Sequence, residues 1–121
     1  MSVKHGKDVE AAAVKNADRT AIQVLISSQE GPHFAMRRFR MEPGGGMPNH
    51  TNTVEHEQYV LRGHARIGIG REEHEVHPGD VVFIPAGIPH WYLNIGEEPF
   101  EFLCMVPNLK DVVELVDEKK C

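Results

Sequence analysis

Apolar residues along this chain come in short runs, mixed with polar ones and cut at close intervals by glycine and proline. Residues 21–26, Ala-Ile-Gln-Val-Leu-Ile, are rich in β-branched side chains and predict a strand. Residues 27–32 form a turn ending in Gly31-Pro32. Residues 34–41 predict a second strand, in which Arg37, Arg38 and Arg40 interleave with Phe34, Met36, Phe39 and Met41. The run Pro43-Gly44-Gly45-Gly46 breaks that strand. Residues 57–61 and 65–69, joined through Arg62-Gly63, predict a hairpin, and residues 72–76, 81–84, 90–95 and 99–106 predict four further strands. Strands this short, with turn residues every six to twelve positions, predict an all-β sandwich or barrel.

The two ends read differently. Residues 1–20 form an N-terminal arm, in which positions 8–17 are open between a short helix and an extended segment. Residues 21–107 make the barrel. In the tail, residues 108–121, Val112, Val113, Leu115 and Val116 fall between charges, with Asp111 early and Lys119-Lys120 late. That pattern predicts a short C-terminal helix with charges matched to its dipole.

Composition narrows the picture. A chain of 121 residues with 40% hydrophobic and 26% charged residues supports one core in one domain. The net charge of -5 and the scattered Lys and Arg argue against nucleic acid as a partner. No apolar run approaches the ~20 residues of a membrane helix, and residues 1–10 lack the apolar centre of a signal peptide, so a cytoplasmic location is expected. Two cysteines, Cys104 and Cys121, do not make a disulfide framework. Cys104 lies in an apolar stretch and reads as a buried small hydrophobe.

Eight histidines stand out. His50, Asn52 and His56 are separated by even intervals, which on an extended strand places side chains on one face, with a bend expected between Asn52 and His56. His90 follows 34 residues after His56, behind Pro85-Ala86-Gly87-Ile88-Pro89. A barrel can set these strands side by side, and three imidazoles meeting in its interior suit a divalent transition metal. His5, His33, His64, His74 and His77 read as ordinary surface or core residues. Glu55 and Glu57, beside His56, read as outward-facing charges.

The spacing of glycines, prolines and histidines extends this. Gly44-x5-His50-x-Asn52-x3-His56-x6-Gly63 resembles the first signature of the cupin superfamily, Gly-x5-His-x-His-x3,4-Glu-x6-Gly. Gly79-x5-Pro85-x-Gly87-x2-His90-x3-Asn94 matches the second signature at every fixed position. The resemblance covers residues 34–107. It departs from the family at two positions: the second His is Asn52 and the Glu is His56. The latter is similar to a four-histidine subgroup of small cupins, as are Met36-Arg37, Glu55-His56-Glu57, Val60-Leu61-Arg62-Gly63 and Glu101-Phe102-Leu103-Cys104.

The resemblance implies a double-stranded β-helix, the jelly-roll barrel of cupins, binding one divalent ion of Fe, Mn, Cu, Ni or Zn through His50, His56 and His90. Asn52 is either a weak fourth ligand or a hydrogen-bond partner for a bound water. Such a site lacks a carboxylate and suits an anionic ligand such as an enolate or a carboxylate. Gly63 and Gly79 are expected in turns, Asn94 as a turn cap, and Phe34, Met36, Tyr59, Ile84, Trp91, Phe100 and Phe102 along the barrel. The N-terminal segment is expected to pair with a second subunit, making a homodimer. The activity implied is a metal-dependent oxygenase acting on a small organic substrate. The alternatives are a non-catalytic metal or small-ligand binding module and a metal-dependent isomerase or lyase.

Overall fold

The computed structural model describes residues 1–116. After a single 3-10 turn at Gly6–Asp8 the described residues form ten strands: β1 (Ala11–Ala13), β2 (Asp18–Ile26), β3 (Phe34–Asn52), β4 (His56–Arg62), β5 (Ala65–Ile69), β6 (Glu72–Val76), β7 (Val81–Ile84), β8 (His90–Asn94), β9 (Phe100–Pro107) and β10 (Val113–Leu115). All pairings are antiparallel, and the hydrogen-bonded order β6-β5-β8-β3-β9-β4-β7 curls into a jelly-roll barrel.

β3 organises the barrel. Its first half pairs with β2 and β9, and its second half with β8 and β10. The glycine run bends this strand instead of ending it, which corrects the expected break. A Cβ at Gly46 would collide with the Tyr92 carbonyl, so only glycine lets β3 lie against β8 there.

The expected hairpin between β4 and β5 does not form. β4 pairs with β7 and β9, whereas β5 pairs with β6 and β8. Gly63, at a φ of +88°, turns the chain from one side of the barrel to the other, and Val60 and Ile67 then reach the same core from opposite sides. Gly79 also adopts a positive φ, as its expected turn requires.

Alternation fills the interior with Phe39, Met41, Val60, Ile67, Ile84, Tyr92, Phe100, Phe102 and Cys104. Phe102 stacks on Phe39 at 5.1 Å and on Tyr92 at 5.4 Å between centroids. Phe34 and Tyr59, expected along the interior, fall on the outward parity of their strands and are exposed. Asn94 caps its turn, accepting from Gly96 N–H and donating to the Met41 and Glu98 carbonyls.

The arm is extended at β1, one of the two conformations open for positions 8–17, and β1 pairs with β2. The tail is not helical where it is described. Residues 113–115 form β10, which lies against the end of β3, because β3 offers an unpaired edge there that a strand can satisfy and a helix cannot. The rest of the expected helix, and Cys121, lie outside the described residues. Among the described residues no helix is long and apolar enough to cross a membrane.

Candidate functional site

The four residues singled out by spacing meet at one end of the barrel. His50 and Asn52 end β3, His56 opens β4 and His90 opens β8, with His50 and His90 as direct cross-strand partners. All are buried: exposure is 8% for His50, 7% for Asn52, 5% for His56 and 2% for His90. The His90 ring centroid lies 4.2 Å from that of His50 and 5.5 Å from that of His56. The loop presenting His90 is fixed by Gly87 N–H donating to the Asn52 carbonyl at 2.8 Å.

Local backbone sets the tautomers. His50 Nδ1 lies 2.8 Å from the Pro48 carbonyl and His90 Nδ1 lies 2.9 Å from the Ile88 carbonyl. A carbonyl only accepts, so each Nδ1 carries the proton and each Nε2 keeps a lone pair. Burial pushes His56 down to about 3, helped by the Arg37 charge and by His90 and His50. Burial also lowers His90, to about 4, against the Ile88 hydrogen bond. Both rings are therefore neutral at neutral pH.

Two polar atoms in this cluster are orphaned. His56 Nε2 and Asn52 Oδ1 are buried without a hydrogen-bond partner, and Nε2 is an acceptor in the tautomer whose Nδ1 donates to Cys104 Sγ. Asn52 is turned that way by its amide, which donates to Asp111 Oδ2 at 2.9 Å. Buried unpaired acceptors are costly, and a cation satisfies them. Three imidazoles and one amide oxygen thus fit a divalent transition metal in donor type and burial. Among the described residues no three His, Cys, Asp or Glu side chains form a ready-made cation cage, so the rings would have to draw together around an ion.

These residues floor a cavity of about 470 Å³, whose walls include Phe39, Met47, Tyr92 and Phe102. That is within the usual size of a small-molecule site. Residues 13–17, Val113 and Leu115 also line it, and Ala13, Lys15, Asn16, Val113 and Leu115 are exposed, so the arm and the tail contribute to its outer part.

Sequence reading missed four residues here: Arg37, Gln58, Tyr92 and Asp111. Three carried a signal, because inward parity on β3, β4 and β8 runs Ala35-Arg37-Phe39, His56-Gln58-Val60 and His90-Tyr92-Asn94. A polar side chain on a core-facing parity marks a pocket. Gln58 donates to the Tyr92 hydroxyl at 2.7 Å, and burial pushes Tyr92 well above the usual tyrosine range. Asp111 carried no signal, since its role depends on a contact 59 positions away. Glu57 is partly buried, and desolvation together with Glu55 raises it to about 7. Cys104 lies at the junction of core and cavity, 3.4 Å from His56 Nδ1, and burial raises its thiol.

A cupin domain pattern matches residues 37–106, more than half of the chain, which therefore belongs to the cupin family. The chain is 29% identical over 100 residues to the 1-methylthio-D-xylulose 5-phosphate methylsulfurylase of Rhodospirillum rubrum, covering 83% of this chain and only 64% of that protein. Its fold is similar to that of the polyketide cyclase RemF from Streptomyces resistomycificus, with a TM-score of 0.86 and 30% identity over 98% of this chain and 88% of the other. A cupin-2 domain protein of Rhodospirillum rubrum superposes with a TM-score of 0.86 at 29% identity, covering 98% of this chain and 82% of that one.

Proposed function

We propose that this cupin is a metal-dependent enzyme acting on a small organic substrate, with one divalent transition metal held by His50, His56, His90 and the Asn52 amide oxygen. The observation that carries this reading is the pair of orphaned buried polar atoms, His56 Nε2 and Asn52 Oδ1, at the floor of the 470 Å³ cavity. Replacement of the family's Glu by His56 supports a site of the four-histidine kind with one position changed to Asn52. A metal bound there supplies Lewis acidity to a carbonyl or enolate oxygen. The chain's residues do the rest. Pro48 and Ile88 carbonyls hold two rings in their liganding tautomer, Asp111 aims the Asn52 oxygen, and the Phe39, Phe102 and Tyr92 walls exclude water.

The likeness to a polyketide cyclase favours the isomerase or lyase class over the oxygenase. The oxygenase is the second reading, supported by the all-nitrogen imidazole set, which also suits iron. We also propose a second copy of the chain as partner. Tyr59 on β4 and Val81 and Phe83 on the edge strand β7 are exposed, and self-association would cover them.

Elemental analysis of purified wild type and His90→Ala tests the site. About one transition metal per chain in the wild type and a large loss in the variant are expected. No metal in either protein after reloading overturns the reading and leaves a binding module. Dioxygen uptake with turnover selects the oxygenase, and turnover without it selects the Lewis-acid class.

A further inference from the structure

Every arginine around the start of β3 has a carboxylate except one. Arg38 meets Glu101 at 3.1 Å, and Arg40 meets Glu42 at 3.0 Å and Glu101 at 3.8 Å. Arg37, between them in sequence and opposite in parity, faces the cavity, and among the described residues no carboxylate lies within ion-pair distance of it. The acid that shares the cavity, Asp111, is committed to the Asn52 amide and the Thr53 N–H.

The guanidinium is poorly satisfied. Its Nη2 contacts Cys104 Sγ at 3.2 Å and His56 Nδ1 at 3.4 Å, both weak partners, and its Nε is buried with none. Phe39 supports its flat face at 5.1 Å. A half-buried guanidinium with open donors is an anion site waiting for a planar acceptor. Resting on the metal reading, the case strengthens. An ion on His56 Nε2 leaves the proton on Nδ1, which can then donate to Cys104 Sγ but no longer accept from Arg37. One more guanidinium N–H is thereby released toward the cavity.

We propose that Arg37 is the anion anchor of this cavity, pairing with the carboxylate or enolate oxygens of a flat, apolar substrate. The walls argue for the body of that substrate. Ile22, Phe39, Met47 and Phe102 are apolar, while Gln58 is engaged with Tyr92 and Cys104, and Asn52 with Asp111. Few groups are left to hydrogen-bond the hydroxyls of a sugar. A single guanidinium, with no cradle of backbone N–H groups described around it, matches a planar monoanion better than a phosphate.

Calorimetric titration of the protein, as purified and after chelation, tests this with 2-naphthoate, its neutral analogue 2-naphthamide, and inorganic phosphate. Metal content is measured separately on each sample. Wild type is expected to bind 2-naphthoate about tenfold or more tightly than 2-naphthamide, even after chelation. Arg37→Gln should remove that preference while leaving 2-naphthamide binding and metal content unchanged. Should that variant fail to fold by circular dichroism, Arg37→Lys is read instead. It keeps the charge without the planar fork and should reduce the preference. A preference that survives in the variant, absence of 2-naphthoate binding to wild type, or phosphate binding as tightly as 2-naphthoate overturns the anchor. A preference that depends on Arg37 in a protein that never takes up metal sinks the metal reading and leaves the anchor standing.

Discussion

The Asn52 amide donates to the Asp111 carboxylate at 2.9 Å, and this bond joins the tail to the floor of the candidate site. The same carboxylate accepts the Thr53 N–H at 3.0 Å, while Thr53 Oγ1 donates to the Lys110 carbonyl and accepts from Val112 N–H. The tail is therefore laced to β3 where the strand delivers His50 and Asn52. Asp111 itself is exposed, so its substitution should leave the fold intact. Asp111→Ala frees the Asn52 amide to rotate and should weaken metal binding about 10- to 100-fold, the usual cost of losing a ligand's supporting hydrogen bond. Competition with a chromophoric chelator measures this. An unchanged affinity would mean that Asn52 does not depend on the tail for its orientation.

Asn52 stands where the family pattern has histidine. Asn52→His replaces a hard amide oxygen by an imidazole nitrogen and should raise affinity for zinc or nickel about tenfold or more. His56→Ala should have the opposite effect, removing most of the metal while the chelated proteins melt within a few degrees of each other. Full metal content in His56→Ala would disprove the ligand assignment.

Acid should destabilise the metal-free protein earlier than an ordinary barrel. His56 and His90 are lowered from 6.5 to about 3 and about 4, so between those values and 6.5 the unfolded chain binds protons that the folded one refuses. Their stabilising contribution is present above pH 6.5 and is lost as pH falls toward 4. Glu57 works the other way, because its folded value is raised from 4.5 to about 7 and its contribution is lost as pH rises through 7. Urea midpoints at pH 7.5 and pH 5 should therefore separate more in Glu57→Gln than in the wild type. A smaller separation in that variant would refute the opposing roles.

Phe102 is 1% exposed and stacks on both Phe39 and Tyr92. Phe102→Ala should cost about 3–5 kcal/mol in urea unfolding. The same change widens the cavity, since Phe102 also lines it. A loss below about 1 kcal/mol would show that the neighbouring rings collapse into the space.

How much was legible in the sequence depended on how local each cause was. The turn glycines, the proline-shaped loop before His90 and the even spacing of His50 and Asn52 are local, and they located the site's histidines. The course of β3 through Gly44-Gly45-Gly46 was not legible, because glycine there serves a close approach of β8 and not a break. The separation of β4 from β5 was equally hidden, since their true partners are β9 and β8. β10 was misread as helix because the edge it satisfies is distant in sequence. Arg37 could have been found from its core-facing parity, and Asp111 could not.

The path of β3 has a consequence for how the molecule comes apart. One strand is hydrogen-bonded to β2, β8, β9 and β10, so neither half of the barrel can be released while the other stays intact. Amide exchange along β3 should then occur only through global opening, while β6 and β7, at the two ends of the strand order, exchange through smaller local excursions. His50 and Asn52 ride on the slow strand. The floor of the cavity is thus among the last parts of the molecule to loosen, and the arm, which pairs with β2 and not with the floor, can breathe for ligand entry without disturbing it.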